Sequence, residues 1–265
     1  MADRLHRPVV VTRPLAQATG LQQKIAATGR QAIVFPLLEI HPLADYSALD
    51  AVLATLEVFA LVAFVSPNAI DAAFARRANW PAGVPLAVMG EGSRQALAAH
   101  GVSAQTTRIY SPVDTERTDS QTLLAVLDLT ALANRTVLIL RGQSGRELLA
   151  DALTAAGVKV TQVAAYRRAA PILDATGMAR LRQLLASGSD WIITSSEALQ
   201  ILMRMVEQAG AMQPFQDDVA KLKQQRLIVP HVRIGETAHA LGFCNVIRAA
   251  SGDESVLAAL QSEDD

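Results

Sequence analysis

Short apolar runs alternate with longer alanine- and leucine-rich stretches along the chain. The apolar runs are mostly continuous, which is typical of strands buried on both faces of a parallel sheet, and the longer stretches between them are interpreted as helices. The predicted strands are residues 8–12, 31–35, 60–65, 85–89, 136–140, 158–163, 190–194, 227–232 and 245–249. The predicted helices are residues 15–28, 47–56, 67–78, 92–100, 119–129, 144–156, 174–187, 196–210, 235–241 and 253–262.

The pattern repeats within the chain, in three places and in the same order. The matching pairs of segments are 9–35 with 137–163, 63–74 with 192–203, and 88–101 with 232–242. We infer the duplication of a domain-sized α/β unit. Two proline-bearing segments, 36–45 and 164–173, lie at equivalent points of the copies and are expected to be extended, antiparallel connectors. The chain would then begin one domain, cross over to complete a second, and return.

Composition narrows the class of protein. Hydrophobic residues make up 51% of the chain and the formal net charge is −1, so we expect a large core and no general affinity for nucleic acid or anionic membranes. The opening segment lacks the features of a signal peptide and no apolar run could span a membrane, so we expect a cytoplasmic protein. The single cysteine, Cys244, is interpreted as a small structural residue, and the histidines show no metal-ligand spacing.

Candidate chemistry is expected just after the strands, because ligands of open α/β sheets bind at the carboxyl ends of the strands, where helix N-termini offer free N–H groups. Thr12 and Arg13 follow the first strand, and they fit either a helix start facing an anion or a simple capped helix. Ser66 and Asn68 follow the third strand, and Ser195 with Ser196 forms their counterpart. These hydroxyls are either ligand donors or ordinary N-caps.

Two glycine-containing turns follow other strands. Gly90–Ser93, with a counterpart at Gly235–Thr237, suggests a dinucleotide-binding fingerprint only weakly, since Gln95 stands at its third position, and a tight turn is the preferred interpretation. The segment Arg141–Glu147, which includes Gly142 and Arg146, is expected to open a helix and to form a carboxylate or phosphate site. The alternative is a surface helix start.

Tyr166 lies in the second connector. A phenol there can donate a proton or a hydrogen bond to a leaving group, and the alternative is a packing residue between domains. The chain shows no Ser-His-Asp order and no cluster of catalytic carboxylates. Catalysis is therefore expected to depend on positioning and hydrogen bonding.

In order along nearly the whole chain, the segments VVVTRP, FVSPNAI, VMGEGSRQAL, LRGQSGRELLADALTAAGVKV, YRR, TSSEAL, RIGETAHALGF and GDESVLAAL resemble the bacterial uroporphyrinogen-III synthase (HemD) family. The resemblance implies an α/β protein of two HemD-like, flavodoxin-like domains, with parallel sheets flanked by helices and a two-stranded linker. The implied domains are 1–37 with 170–265, and 42–165, and the implied connectors are 36–42 and 164–170.

The resemblance also implies the chemistry. The substrate would be hydroxymethylbilane, closed to uroporphyrinogen III with inversion of ring D through a spirocyclic pyrrolenine and with loss of water, without a cofactor and by a monomer. Tyr166 matches the family's connector tyrosine, which is proposed to assist loss of the hydroxyl. The implied substrate-binding residues are Thr12, Arg13, Ser66, Asn68, Ser93, Arg141, Gly142, Arg146, Ser195, Ser196, Arg233 and Thr237. The chain departs from the family pattern at Asn68, where some members have a basic residue, and at Glu236, which adds a negative charge.

Two other functions fit parts of the pattern. A non-catalytic two-lobed sensor of a small anionic ligand would also lack a catalytic triad. A nucleotide-dependent Rossmann enzyme is suggested only by Gly90 and Gly92.

Overall fold

The computed structural model describes residues 7–113, 119–212 and 218–262. The strands are β1 (Val9–Val11), β2 (Ala32–Val34), β3 (Glu39–His41), β4 (Leu61–Phe64), β5 (Leu86–Val88), β6 (Ile109–Tyr110), β7 (Thr136–Gly142), β8 (Lys159–Ala169), β9 (Asp190–Ile192), β10 (Arg226–Val229) and β11 (Val246–Arg248). The helices are α1 (Leu15–Ala27), α2 (Ser47–Ala54), α3 (Pro67–Phe74), α4 (Glu91–Ala99), α5 (Ser120–Leu124), α6 (Leu129–Leu132), α7 (Leu148–Ala155), α8 (Ala175–Ala186), α9 (Ser196–Met212), α10 (Asp218–Gln224), α11 (Val232–Ala240) and α12 (Asp253–Gln261).

The chain divides into two compact units. The first unit combines Met1–Glu39 with Ala169–Asp265, and the second is Ile40–Arg168. The end segments 1–6 and 263–265, which the sequence assigned to the first domain, lie outside the described residues. Within the described ranges, none of the helices has both the length and the apolarity needed to cross a bilayer.

Each unit contains a sheet whose strand order follows one scheme. The first sheet has the order β11-β10-β9-β1-β2, which becomes 2-1-3-4-5 when its strands are numbered along the unit, as in flavodoxin-like folds. The second sheet has the order β3-β8-β7-β4-β5-β6, and its last five strands follow the same scheme if the unit is entered at β7. Every strand pair in these two five-strand sets is parallel. Each unit therefore takes strands from both copies of the sequence repeat.

The nine predicted strands are confirmed, and two short strands, β3 and β6, were not predicted. Both faces of each sheet pack against helices. In the first unit, Trp191 and Val10 lie in one buried cluster, and Val9 and Ile192 lie in another. In the second unit, residues of β7 alternate between two such clusters. Burial on both faces explains why the strands are continuous apolar runs.

Four predicted helices differ from their predicted bounds by three residues or more. The helix predicted over 67–78 ends at Phe74. The helix predicted over 119–129 ends at Leu124, and a second short helix begins only at Leu129. Asp119 and Asp128 cap the two starts by accepting N–H groups. The helix predicted over 144–156 begins only at Leu148. The helix predicted over 235–241 begins at Val232, since the Nδ1 atom of His231 accepts the N–H of Arg233. Helix α10 was not predicted, and Cys244 is exposed rather than packed as a structural residue.

Candidate functional site

The predicted hydroxyl-rich turn of the second unit lies at the carboxyl end of β4. Ser66 is the N-cap of α3, and its Oγ atom accepts the N–H of Ala69 at 3.3 Å. Pro67 occupies the first helical position, where its missing N–H costs nothing. Asn68 lies beside it in the first turn and is half-buried. The sequence therefore forms a local helix start that holds the Ser66 hydroxyl in a fixed direction.

Tyr166 meets this turn from β8. Its hydroxyl lies 3.1 Å from Ser66 Oγ, and either group can be the donor. Only 5% of Tyr166 is exposed, and its ring belongs to the buried cluster that contains Leu138 and Leu140. The ring therefore packs within the second unit, while the hydroxyl joins the polar edge of the sheet. Gly142, the last residue of β7, lies directly against this phenol.

Arg141 is held within the second unit by two partners. Its Nη1 atom donates to Glu147 Oε1 at 2.6 Å and to Gln162 Oε1 at 2.5 Å, and Gln162 Nε2 donates to Glu147 Oε2 at 2.7 Å. The hydrogen bond from Gln162 and then that from Arg141 lower the pKa of Glu147. Because α7 begins at Leu148, this segment is a loop rather than the predicted helix start, and Arg146 is an exposed residue of that loop.

The turn after β5 is tight, as the sequence predicted. Gly90 is the N-cap of α4, and Ser93 lies in the first turn of that helix with 4% of its surface exposed. A Cβ atom at Gly92 would lie 3.9 Å from the ring of Pro67, so the starts of α3 and α4 are neighbours. The carboxyl edge of the second sheet thus gathers Ser66, Tyr166 and two helix N-termini.

The first unit has its own polar edge. Ser195 Oγ accepts the N–H of Ala198 at 3.0 Å, which is the same cap that Ser66 makes. Ser196 Oγ lies 3.0 Å from Thr237 Oγ1, and Thr237 donates to the carbonyl of Arg233 at 2.9 Å. Because the Thr237 proton is used in that bond, Ser196 is the donor of this pair.

The alignment of the two copies differs here from the predicted one. Helices α4 and α11 begin after Gly90 and His231. Counted from these helix starts, Ile234 is the equivalent of Ser93, and Thr237 lies about one helical turn further along its own helix. Nε of Arg233 is buried and has no hydrogen-bond partner among the described residues.

Thr12 and Arg13 serve local structure at the same edge. Thr12 is 1% exposed and donates to the carbonyl of Ile192 at 2.6 Å, which ties β1 to β9. Arg13 Nη1 lies 2.7 Å from Oδ1 of Asp253, the first residue of α12. Neither side chain caps α1, whose N-cap is Pro14 without a side-chain hydrogen bond, so the alternative of a simple capped helix is wrong, and the Arg13 charge is paired.

The sequence did not reveal the partners of these basic groups. Asp253 is separated from Arg13 by 240 residues, and Gln162 from Arg141 by 21 residues. Glu147 stood in a predicted motif, but only as part of a helix start. No local pattern indicates which carboxylate will fold against which guanidinium.

A cavity of about 350 Å³ lies at the opposite, amino edge of the first sheet. It is lined by Arg7, Leu185, Ala186, Gly188, Lys221, Gln224, Gln225 and Arg226. None of the predicted site residues lines it, and strand ends of this kind are not where open parallel sheets bind ligands. Among the described His, Cys, Asp and Glu side chains, no group of three could hold a metal ion.

The fold and these edges define an α/β protein of two units, each with a parallel sheet flanked by helices and a polar edge at the carboxyl ends of its strands. The chain belongs to the uroporphyrinogen-III synthase HemD family, whose model matches residues 20–258.

Individual relatives agree with this family. The chain is 33% identical over 258 residues to the uroporphyrinogen-III synthase of Salmonella typhimurium, covering 96% of this chain and 99% of the relative. It is 32% identical over 260 residues to that of Escherichia coli, with 96% and 99% covered. The resemblance inferred from the sequence is therefore confirmed.

Solved structures show the same fold. A mutant uroporphyrinogen III synthase from Thermus thermophilus superposes with a TM-score of 0.59 at 16% identity, covering 97% of this chain and 100% of that one. The uroporphyrinogen-III synthetase from Helicobacter pylori superposes with a TM-score of 0.56 at 15% identity, covering 95% and 97%. The predicted fold class, parallel sheets flanked by helices, is confirmed.

Proposed function

We propose that this chain catalyses the conversion of hydroxymethylbilane to uroporphyrinogen III in tetrapyrrole biosynthesis, with inversion of ring D and loss of water. The observation that carries the proposal is the similarity to two proteins named uroporphyrinogen-III synthase over 96% of the chain. A non-catalytic sensor has no comparable support.

The hydrogen bonds around Tyr166 suit the first chemical step. Loss of hydroxide from a carbon conjugated to a pyrrole leaves a cationic azafulvene, so the electron-rich pyrrole supplies the push. The enzyme then needs a donor at the departing oxygen. If the Ala69 N–H donates to Ser66 and Ser66 donates to Tyr166, the phenol proton remains available for that oxygen.

The later steps depend on geometry. The free bilane closes to the unrearranged isomer, so the enzyme must fold it until the substituted carbon of ring D is attacked. The eight carboxylates of the substrate need many modest donors, and each helix-end interaction contributes about 0.3–1 kcal/mol when exposed. We propose that the carboxyl edge of each sheet supplies them. The proposed residues are Thr12, Arg13, Ser66, Asn68, Ser93, Arg141, Gly142, Arg146, Ser195, Ser196, Arg233 and Thr237.

The organisation of the enzyme is part of the proposal. The domains would be 1–37 with 170–265, and 42–165, linked through 36–42 and 164–170. We propose that it acts as a cytoplasmic monomer without a cofactor and binds neither nucleic acid nor membranes. The formal net charge of −1 supports the last point.

The activity is tested by supplying hydroxymethylbilane and separating the oxidised product isomers. The type III isomer is expected, and exclusive formation of the type I isomer would contradict the proposal.

Tyr166→Phe is expected to lower kcat by roughly 10²-fold or more, with little change in product binding, because it removes a positioned proton donor. Tyr46→Phe is the matched control, since its phenol oxygen also accepts a hydrogen bond, from Leu43 N–H at 3.3 Å. An unchanged rate for Tyr166→Phe would remove this residue from the mechanism.

A further inference from the structure

The pairing of β7 with β8 shifts by one residue beside the phenol. From Thr136 opposite Lys159 to Arg141 opposite Ala164 the register is constant, but Gly142 then lies opposite Tyr166. Ala165 is therefore an extra residue in β8, and the two strands form a bulge there. Behind the bulge, the N–H of Gln143 donates to the carbonyl of Tyr166 at 2.8 Å and fixes its backbone.

The bulge decides which face of the sheet receives the tyrosine ring. Successive side chains of a strand normally point to opposite faces. Ala165 and Tyr166 nevertheless pack in the same buried cluster, together with Leu138 and Leu140 of β7. The same cluster includes Ala69 of α3, the helix that Ser66 caps. The extra residue thus turns the phenol toward Ser66.

Position 142 continues the row of Leu138 and Leu140 on this face. A Cβ atom at Gly142 would lie 3.1 Å from Cζ, 3.2 Å from Oη and 3.3 Å from Cε2 of Tyr166. Carbon atoms in good contact are about 3.5–4.0 Å apart, so the ring would have to move. It cannot move freely, because it is 5% exposed and its hydroxyl is bonded to Ser66.

We propose that Gly142 is a positioning residue for Tyr166: its missing side chain, opposite the bulge at Ala165, leaves room for the ring and so holds the Tyr166 hydroxyl against Ser66. The proposal rests on the role of Tyr166 in the proposed function. The orientation of the phenol would then depend on how β7 pairs with β8.

The test is Gly142→Ala, with Gly83→Ala as the matched control. Gly83 has no atom within 4 Å of an added Cβ and no positive φ, so the same methyl group there meets nothing. Gly142→Ala is expected to lower kcat at least 10-fold with KM within about 2-fold, and Gly83→Ala is expected to leave both unchanged. A wild-type kcat for Gly142→Ala would overturn the proposal.

Two further measurements separate positioning from general damage. In a Tyr166→Phe background, adding Gly142→Ala is expected to cost less than 2-fold, because no hydroxyl remains to be misplaced. Equal losses in both backgrounds would overturn the proposal.

The chain has three tyrosines, so 3-fluorotyrosine labelling gives three ¹⁹F signals, and the one lost in Tyr166→Phe identifies Tyr166. Gly142→Ala is expected to shift that signal alone, and an unmoved signal in the folded variant would overturn the proposal.

The outcomes also distinguish this proposal from the function on which it rests. An unchanged rate for Tyr166→Phe would remove the catalytic role first, whereas a slow Tyr166→Phe with a normal Gly142→Ala would overturn only the positioning role. If Gly142→Ala does not fold, folding is expected to return when Tyr166→Leu is added, since leucine lacks the Cζ, Cε2 and Oη atoms that the added Cβ would meet. Failure of the double variant to fold would overturn the proposal.

Discussion

The two units share a strand scheme and a serine cap, and they differ in what meets that cap. Ser66 and Ser195 each accept the N–H of the third residue of the helix that follows, at 3.3 and 3.0 Å. In the second unit the phenol of Tyr166 joins the serine, whereas the equivalent connector of the first unit carries two buried leucines, Leu37 and Leu38. The cap therefore belongs to the common fold. The tyrosine is particular to one unit, as expected of a residue that serves chemistry rather than folding.

The amino edges of the two sheets differ as well. In the first unit Asp190 Oδ2 lies 2.7 Å from Arg30 and 3.3 Å from Arg226, and all three side chains are at most 5% exposed. The repeat aligns Asp190 with Leu61 and Arg30 with Val158 in the second unit, and both are buried.

The cluster sets two arginines against the one carboxylate of Asp190, and both arginines also have backbone partners. Arg30 donates to the carbonyl of Leu260, and Arg226 donates to those of Ala259 and Ser262. These carbonyls lie at the C-terminal end of α12, where a helix dipole favours cations. The first unit thus binds the end of α12 with buried arginines, whereas the second unit has buried apolar side chains at the equivalent positions.

The largest effect is expected from breaking the buried ion cluster. Asp190→Asn removes the Asp190 carboxylate from two buried guanidinium groups, which costs about 3–5 kcal/mol of unfolding free energy. The chain has two tryptophans, Trp191 in the first unit and Trp80 in the second, so urea unfolding in a Trp80→Phe background follows the first unit. A loss below about 1 kcal/mol would show that the cluster is solvated.

Replacing the whole cluster sharpens the same comparison. The triple change Arg30→Val, Asp190→Leu and Arg226→Leu makes this edge resemble the second unit. Apolar replacement of a buried ion triad is often neutral or stabilising. We therefore expect the triple variant to be more stable than Asp190→Asn, although it loses the bonds to α12. A less stable triple variant would show that securing α12 matters more than the buried charge.

The sequence predicted what depends on local pattern and missed what depends on tertiary contact. The strands were found because burial on both faces leaves a continuous apolar run. The start of α11 was missed because its cap is the ring nitrogen of His231, not one of the usual capping side chains. The start of α7 was missed because Glu147 makes no side-chain cap. The bulge at Ala165 left no signal, since an apolar run does not encode its register with a distant strand.

The matched serines give an intermediate effect. Ser66→Ala and Ser195→Ala should each cost about 0.5–2 kcal/mol of stability, because both remove an N-cap. Ser66→Ala is expected to lower kcat more than Ser195→Ala, since it also frees the phenol of Tyr166 to rotate. Chemical unfolding and the isomer assay on both variants check this. Equal kcat values for the two variants would show that the bond between Ser66 and Tyr166 does not assist catalysis.

The smallest effect concerns pH and the loop after β7. In the folded protein the hydrogen bond from Gln162, and then that from Arg141, hold the pKa of Glu147 below its ordinary value of 4.5. A carboxylate with a lowered pKa contributes stability above its unfolded pKa and loses it as pH falls through the folded value. The urea midpoint of the protein should therefore approach that of Glu147→Gln as pH falls below about 4.5, and exceed it near pH 7.

The Gln162→Leu background sharpens this titration. Gln162 lowers the pKa of Glu147 most, so without it the difference in urea midpoint between the parent and its Glu147→Gln variant near pH 7 should narrow. The difference should not vanish, because Arg141 still lies 2.6 Å from the carboxylate. A gap of the same size in both backgrounds would mean that Gln162 does not bind Glu147. In the first unit Arg13 pairs with Asp253, whose other carboxylate oxygen lies 3.6 Å from Lys24 Nζ. The third member of that group is therefore a cation, whereas in the second unit it is the amide of Gln162.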